Sequence, residues 1–166
     1  MEIREERPED IPAIRQLVEE AFRPQPYSNK REHFLLDDLR EDGALTVALV
    51  AEEASEVVGQ VAFSLVRIDG REGRWHGLGP IAVRPDRQGR GIGAALVRAG
   101  LDRLKALDAA GCVLLGEPAF YGRFGFKADS RLRLEGVPPE YFLILPFAED
   151  VPQGAVEYHP AFSKAG

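Results

Sequence analysis

Three glycines at every second position, Gly89, Gly91 and Gly93, stand among three arginines, Arg84, Arg87 and Arg90, with Asp86 the lone acid in that stretch. The apolar run Leu78–Val83 precedes them, and Val97, Leu101, Leu104 and Leu107 follow at helical spacing. The segment therefore reads as strand, turn, helix. Missing Cβ atoms let a ligand approach the backbone closely. The first N–H groups of a helix have no internal partner and lie at the positive end of its dipole. Such a turn suits a phosphate or pyrophosphate.

Two kinds of anion site fit this pattern. Gly89-x-Gly91-x-x-Ala94 formally matches the dinucleotide fingerprint, and Glu117, ending the next apolar run, stands where a ribose-binding acid is expected. Against this, residues Arg84 to Gln88 intervene between strand and glycines, whereas the fingerprint follows its strand directly. A P-loop is excluded because no Gly-Lys-Ser/Thr follows.

The second kind rests on resemblance. Gln88-x-x-Gly91-x-Gly93, preceded by Pro80-Ile81-Ala82-Val83-Arg84-Pro85, resembles the acetyl-coenzyme A signature of the GNAT (Gcn5-related) N-acetyltransferases. The run Leu115–Phe126 is similar to the second half of that family's cofactor site, in the family's order and spacing. The resemblance implies an α+β fold: a central, mixed, mostly antiparallel sheet with flanking helices and splayed fourth and fifth strands. It implies that backbone groups of Ile81, Ala82 and Val83 pair with the pantetheine arm of acetyl-CoA, while Gln88, Gly89, Arg90, Gly91, Ile92, Gly93 and Ala94 hold its pyrophosphate.

The chemistry implied is transfer of an acetyl group to a primary amine by direct attack. An alkyl amine has an unperturbed pKa of about 10.4, so near neutrality it must lose a proton first. A departing thiolate, of basicity near cysteine's value of about 8.5, is helped by an acid. Tyr121, in the short helix after the fifth strand, is the candidate general acid, at a position where family members commonly carry a tyrosine facing the sulfur. Many relatives use a glutamate as base on the strand before the glycine turn, but this chain has Trp75, His76, Gly77 and Leu78 there. His76, with a suitable ordinary pKa, and Glu117, beside Pro118, remain the two candidate bases. Ala119 replaces a polar residue that often bonds the cofactor in relatives. Arg123 and Phe124 either flank the adenosine or pack the short helix, and Arg98 reads as a solvated charge.

Composition agrees with one folded unit. The 166 residues, 45% hydrophobic and 29% charged, fit a single domain over 1–166 with one sizeable core. A net charge of −6 argues against nonspecific nucleic-acid binding, which needs a basic footprint. The single cysteine, Cys112, lies in an apolar run and reads as a buried thiol, and His33 and His159 lack metal-ligand spacing, so no metal is expected. A charged start and no long apolar run predict no membrane segment and a cytoplasmic location.

Several elements must position these groups. The resemblance makes Glu2–Arg7 the first strand. Asp10 reads as the N-cap of a helix with a stripe of Ile11, Ile14, Leu17, Val18 and Ala21. Asn29 and Glu32 suggest a capping box for a second helix burying Phe34, Leu35, Leu36 and Leu39. In the related family the loop between these helices overlies the acceptor, making Phe22, Pro24, Pro26 and Tyr27 candidate substrate walls. Runs 45–51, 57–67 and 75–83 read as an antiparallel meander. Gly111 reads as the end of the long helix and Cys112–Leu115 as a buried strand parallel to the one ending at Val83. Ala119–Phe124 reads as a short helix stopped by Gly125, Arg131–Glu135 and Tyr141–Phe147 as closing strands, and Val151–Gly166 as a surface tail.

The reading is an acetyl-CoA-dependent N-acetyltransferase acting on a small-molecule or peptide amine, with a homodimer suggested only by frequency among relatives. The alternatives are a noncatalytic acyl-CoA sensor on the same fold and, more remotely, an NAD-dependent oxidoreductase.

Overall fold

The structure is a computed structural model describing residues 1–165. Runs rich in β-branched residues form β2 (Leu45–Glu53), β3 (Glu56–Ile68) and β4 (Arg71–Val83), the expected meander, with β1 (Glu2–Glu5) antiparallel on β2. Between β1 and β2 lie α1 (Ile11–Phe22) and α2 (Glu32–Glu41). The glycine turn leads into α3 (Ile92–Ala106), followed by β5 (Gly111–Leu115) and α4 (Pro118–Tyr121). Short strands β6 (Lys127–Ala128) and β7 (Leu132–Arg133), then β8 (Phe142–Pro146), β9 (Gly154–Glu157) and α5 (Ala161–Ala165) complete the chain.

The sheet runs β1-β2-β3-β4-β5-β8-β6, with β9 bridging β3 and β7. Its pairs are antiparallel except β4–β5 and β7–β9. One face packs on α3, whose Leu96, Val97, Leu101 and Leu104 meet Val61, Phe63, Leu78, Cys112 and Leu114. The other packs on α1, whose Ile14, Leu17 and Val18 meet Val50, Ala62 and Ala82. Fully burying each such side chain contributes about 1.5–3 kcal/mol, so the two helices clamp the sheet between them.

Four sequence expectations give way. Asp10 does not cap α1 with its side chain; it lies buried, takes the Arg4 guanidinium at 2.8 and 3.0 Å and accepts from the Arg7 N–H at 2.7 Å. Asn29 does not open α2: Ser28 Oγ donates to Glu32, Asn29 Oδ1 accepts from Arg31 N, and Phe34 is exposed. Gly111 does not end α3, which stops at Ala106 with Asp108 in the left-handed region. Instead Gly111 opens β5 because a Cβ there would lie 2.5 Å from the Trp75 ring. The C-terminal stretch is no surface tail: Val156 is buried against Val66, Trp75 and Ile144, and Ala161 is buried against Leu35 and Leu39 of α2. Gly166 lies outside the described residues.

Candidate active site

The parallel ladder between β4 and β5 has only three rungs, Trp75–Gly111, His76–Cys112 and Gly77–Val113. Beyond them β4 continues on β3, from Leu78 opposite Phe63 to Val83 opposite Gly59, while β5 continues on β8. The strands diverge, and among the described residues the facing edges of Ile81–Val83 and Leu114–Leu115 have no ladder partner. Backbone N–H and C=O groups there are available to an extended ligand that joins as a strand. Buried Gln60 braces the diverging part of β4 by donating from Nε2 to the Pro80 carbonyl at 3.2 Å.

At the open end, Pro85–Arg87 form a 3-10 turn and Gly91 caps α3. Gly89 and Gly91 have φ of +79° and +83°, the left-handed region that costs other residues about 1–2 kcal/mol. The turn thus needs these two glycines for its shape. Gly93 differs: its φ is helical, and a Cβ would meet only Val83 Cγ2, at 3.8 Å. Neither backbone nor packing in this structure requires a glycine there, which leaves ligand approach as a reason for one.

The arginines divide. Arg84 pairs with Asp86 at 2.7 Å and with Glu56 at 3.2 Å; Arg87 pairs with Asp86 at 2.7 Å and Glu53 at 3.3 Å. These two guanidinium groups fasten the turn to the β2–β3 corner rather than standing free for an anion, as the sequence suggested. Arg90 is in no ion pair among the described residues. Gln88 Nε2 donates to the Val83 carbonyl at 3.0 Å and so closes the end of β4.

Tyr121 stands on α4, just beyond the end of β5. Its ring fills the space over Gly116, where a Cβ would lie 2.5 Å from Cε2, and packs edge-on against Phe126. Burial, then the proximity of Tyr27 and Cys112, pushes its pKa up to about 12. Tyr121 therefore keeps its proton throughout the neutral range. Exposed Tyr27, on the α1–α2 loop, lies within electrostatic range of it, while Phe22 packs on the α1 cluster and Pro24 and Pro26 are exposed.

The two candidate bases are placed differently. Glu117 is exposed at the head of α4, where its carboxylate accepts from the Ala119 N–H at 3.4 Å. His76 is buried on the face shared with Cys112 and Leu78, its Nδ1 without a partner among the described residues, and burial lowers its pKa. It is neutral at pH 7 but has little solvent access. Arg98 stacks over Phe124 at 5.1 Å, joining α3 to the α4 segment, and Arg123 stacks over Phe120 at 4.4 Å. Sequence reasoning missed Gln60 and Ser64, polar groups buried in the sheet, and Tyr158, which follows β9 with its hydroxyl buried; a polar side chain within the apolar run 57–67 was the available sign for the first two.

A glycine-rich turn at a helix N-terminus, joined to two separating parallel strands with a half-buried tyrosine beyond the second, suits an acyltransferase that works from a long thiol carrier. Residues 11–126 match the family model for the acetyltransferase (GNAT) family, and the chain belongs to that family. It is 40% identical over 172 aligned positions to the uncharacterized N-acetyltransferase YhbS of Escherichia coli K12, covering 99% of each chain. The crystal structure of YhbS in complex with CoA superposes with a TM-score of 0.91 at 38% identity, over 99% of this chain and 93% of that one. A GNAT family acetyltransferase from Brucella melitensis, solved in complex with acetyl-CoA, is 52% identical over 97% of both chains, with a TM-score of 0.88. The expected mixed sheet with flanking helices is the fold observed.

Proposed function

We propose that this chain transfers the acetyl group of acetyl-CoA to a primary amine. The observation that carries the reading is the ladder break after Gly77–Val113, which leaves the Ile81–Val83 edge open in line with the glycine turn. Ile81, Ala82 and Val83 would pair with the pantetheine arm; the N–H groups from Gln88 to Ala94 would hold the pyrophosphate, aided by Arg90. Acetyl-CoA supplies a thioester carbon activated toward nitrogen. Tyr121, kept protonated by burial, donates its proton to the leaving sulfur. Glu117 is favoured over His76 as the base or the entry of a water chain to it, because it is exposed beside α4 whereas the imidazole is enclosed. The five residues between β4 and the glycines weigh against a dinucleotide site.

The acceptor enters past Tyr27, and a small molecule or a peptide N-terminus fits that open approach. Among the described residues no helix is long and apolar enough to cross a membrane, in keeping with a reaction in the cytoplasm. An amine panel with acetyl-CoA, read by release of free thiol, tests the reading. Turnover of any amine supports catalysis; binding of acetyl-CoA with no turnover across the panel supports the sensor alternative. Stabilisation by NAD but not by CoA would overturn both.

A further inference from the structure

Tyr158 follows β9 and lies on the last rung before β4 and β5 separate. Its ring occupies the space a side chain on Gly77 would need, with Cε1 2.8 Å from the position of a Cβ there. The same ring packs beside the cluster of Val66, Trp75 and Val113, and stacks on Phe162 at 5.0 Å. Gly77 is paired with Val113 on one side and with Ser64 on the other, so Tyr158 covers the vertex of the divergence from the face opposite α3.

Among the described residues its buried hydroxyl has no hydrogen-bond partner, and neither has Ser64 Oγ, on the same face. A buried hydroxyl without a partner costs about 1–3 kcal/mol, so two around one glycine form a costly patch unless something serves them. The hydroxyl lies within electrostatic reach of Cys112, the residue that also neighbours Tyr121. The Cys112 sulfur in turn faces the backbone N–H of Leu78, where β4 leaves β5. Two tyrosines from distant parts of the chain thus both lie within electrostatic reach of Cys112. Tyr121 comes from α4 and Tyr158 from the other face.

We infer that Tyr158 is a second hydroxyl of the active site, donating its hydrogen bond to the acetyl oxygen on which negative charge develops during transfer. This rests on the acetyl-transfer reading above. The role is that of a donor because burial raises the Tyr158 pKa and keeps the proton on the phenol. A donor is also what the adjoining backbone lacks at one position, since Pro80 has no N–H. As the amine nitrogen bonds to the carbonyl carbon, the C=O π pair moves onto oxygen and is held there by the Tyr158 O–H. When that pair returns, the C–S bond breaks and the sulfur takes the Tyr121 proton. The amine surrenders its own proton to the base. Tyr158 neither gains nor loses one, which separates its task from that of Tyr121.

Tyr158→Phe removes the hydroxyl and keeps the ring over Gly77. Three readouts on the purified protein test the role. With any amine the wild type acetylates, kcat falls about 100-fold, the scale of losing one oxyanion donor, while the KM for acetyl-CoA changes less than about threefold. The carbonyl stretch of bound acetyl-CoA, measured by isotope-edited infrared difference without any acceptor, moves toward its solution frequency. The melting temperature of the free protein does not fall, since no folded-state hydrogen bond is lost. A kcat within about twofold of wild type, an unmoved carbonyl band or a clearly lowered melting temperature each overturns the inference. A wild type that fails to bind acetyl-CoA at all would instead remove the reading beneath it.

Discussion

A Cβ placed on Gly93 would touch nothing nearer than Val83 Cγ2, at 3.8 Å, an ordinary contact. The fold itself therefore tolerates alanine at this second residue of α3, and replacing a helical glycine gains about 0.4–1 kcal/mol from the unfolded chain. If the glycine serves a bound diphosphate, the added methyl group costs binding on the scale of overpacking, about 1–3 kcal/mol. Gly93→Ala should melt no lower than wild type yet bind CoA at least about tenfold more weakly by calorimetry. Gly91→Ala, at φ +83°, should lose stability as well. Unchanged affinity in Gly93→Ala would leave the alternating glycines as mere turn geometry.

As the proposed acid, Tyr121 would act in its protonated form, so the rate would fall as pH rises through its pKa. An ordinary tyrosine would impose that fall near about 10, and burial moves it up to about 12. The kcat profile should accordingly show no alkaline loss through pH 10, and Tyr121→Phe should lower kcat at least about tenfold at every pH. A wild-type alkaline limb centred below pH 9, or a Phe variant with full kcat, removes Tyr121 as the acid.

The core of the fold was legible because the relevant signals are local. The apolar periodicities of α1 and α3, the runs of β2 to β4 and the Gly125 stop, at φ +98°, each lie within one element. What escaped depends on contacts distant in sequence. Gly111 is set by Trp75, Asp10 by Arg4, and β9 by the ends of β3 and β7, with Asp69 accepting from the Ala155 N–H at 2.8 Å. Val156 and Tyr158 stand in a stretch with two prolines and little periodicity, so its docking could not be read from its own pattern. The arginines around the glycine turn misled for the same reason: Glu53 and Glu56, which engage Arg87 and Arg84, belong to another hairpin.

Asp10 and Arg4 form an enclosed ion pair, with side chains 7% and 11% exposed, that ties β1 to the start of α1. The Arg4 hydrogen bonds are the main cause holding the Asp10 carboxyl below its usual range. A depressed folded-state pKa means the contribution is fully present above the unfolded value of about 3.9 and disappears as pH falls through the folded one. Asp10→Asn should cost about 1.5–3 kcal/mol at pH 7, a visible loss of melting temperature. The gap between variant and wild type should close as both are taken below pH 4. A gap that persists undiminished at pH 2 would show that shape, not charge, is what Asp10 provides.

Arg90 offers the last separation, between an arginine proposed to bind and arginines that build. Arg84 and Arg87 are committed to Asp86, Glu53 and Glu56, and Asp86 is held at about 2 chiefly by its bonds from Arg84, so this cluster stays ionised at working pH. Arg90 has no such ion pair among the described residues and sits between the two left-handed glycines. Charge at this position can respond to a pyrophosphate without first breaking a contact in the fold. Arg90→Ala should weaken CoA binding about three- to tenfold, and the deficit should shrink as salt is raised to 1 M, where the screening length drops to about 3 Å. Its melting temperature without ligand should match wild type. Arg87→Ala should lower that melting temperature, because it releases the turn from Glu53. Equal CoA affinity of Arg90→Ala and wild type at low salt would place the diphosphate on the backbone N–H groups alone.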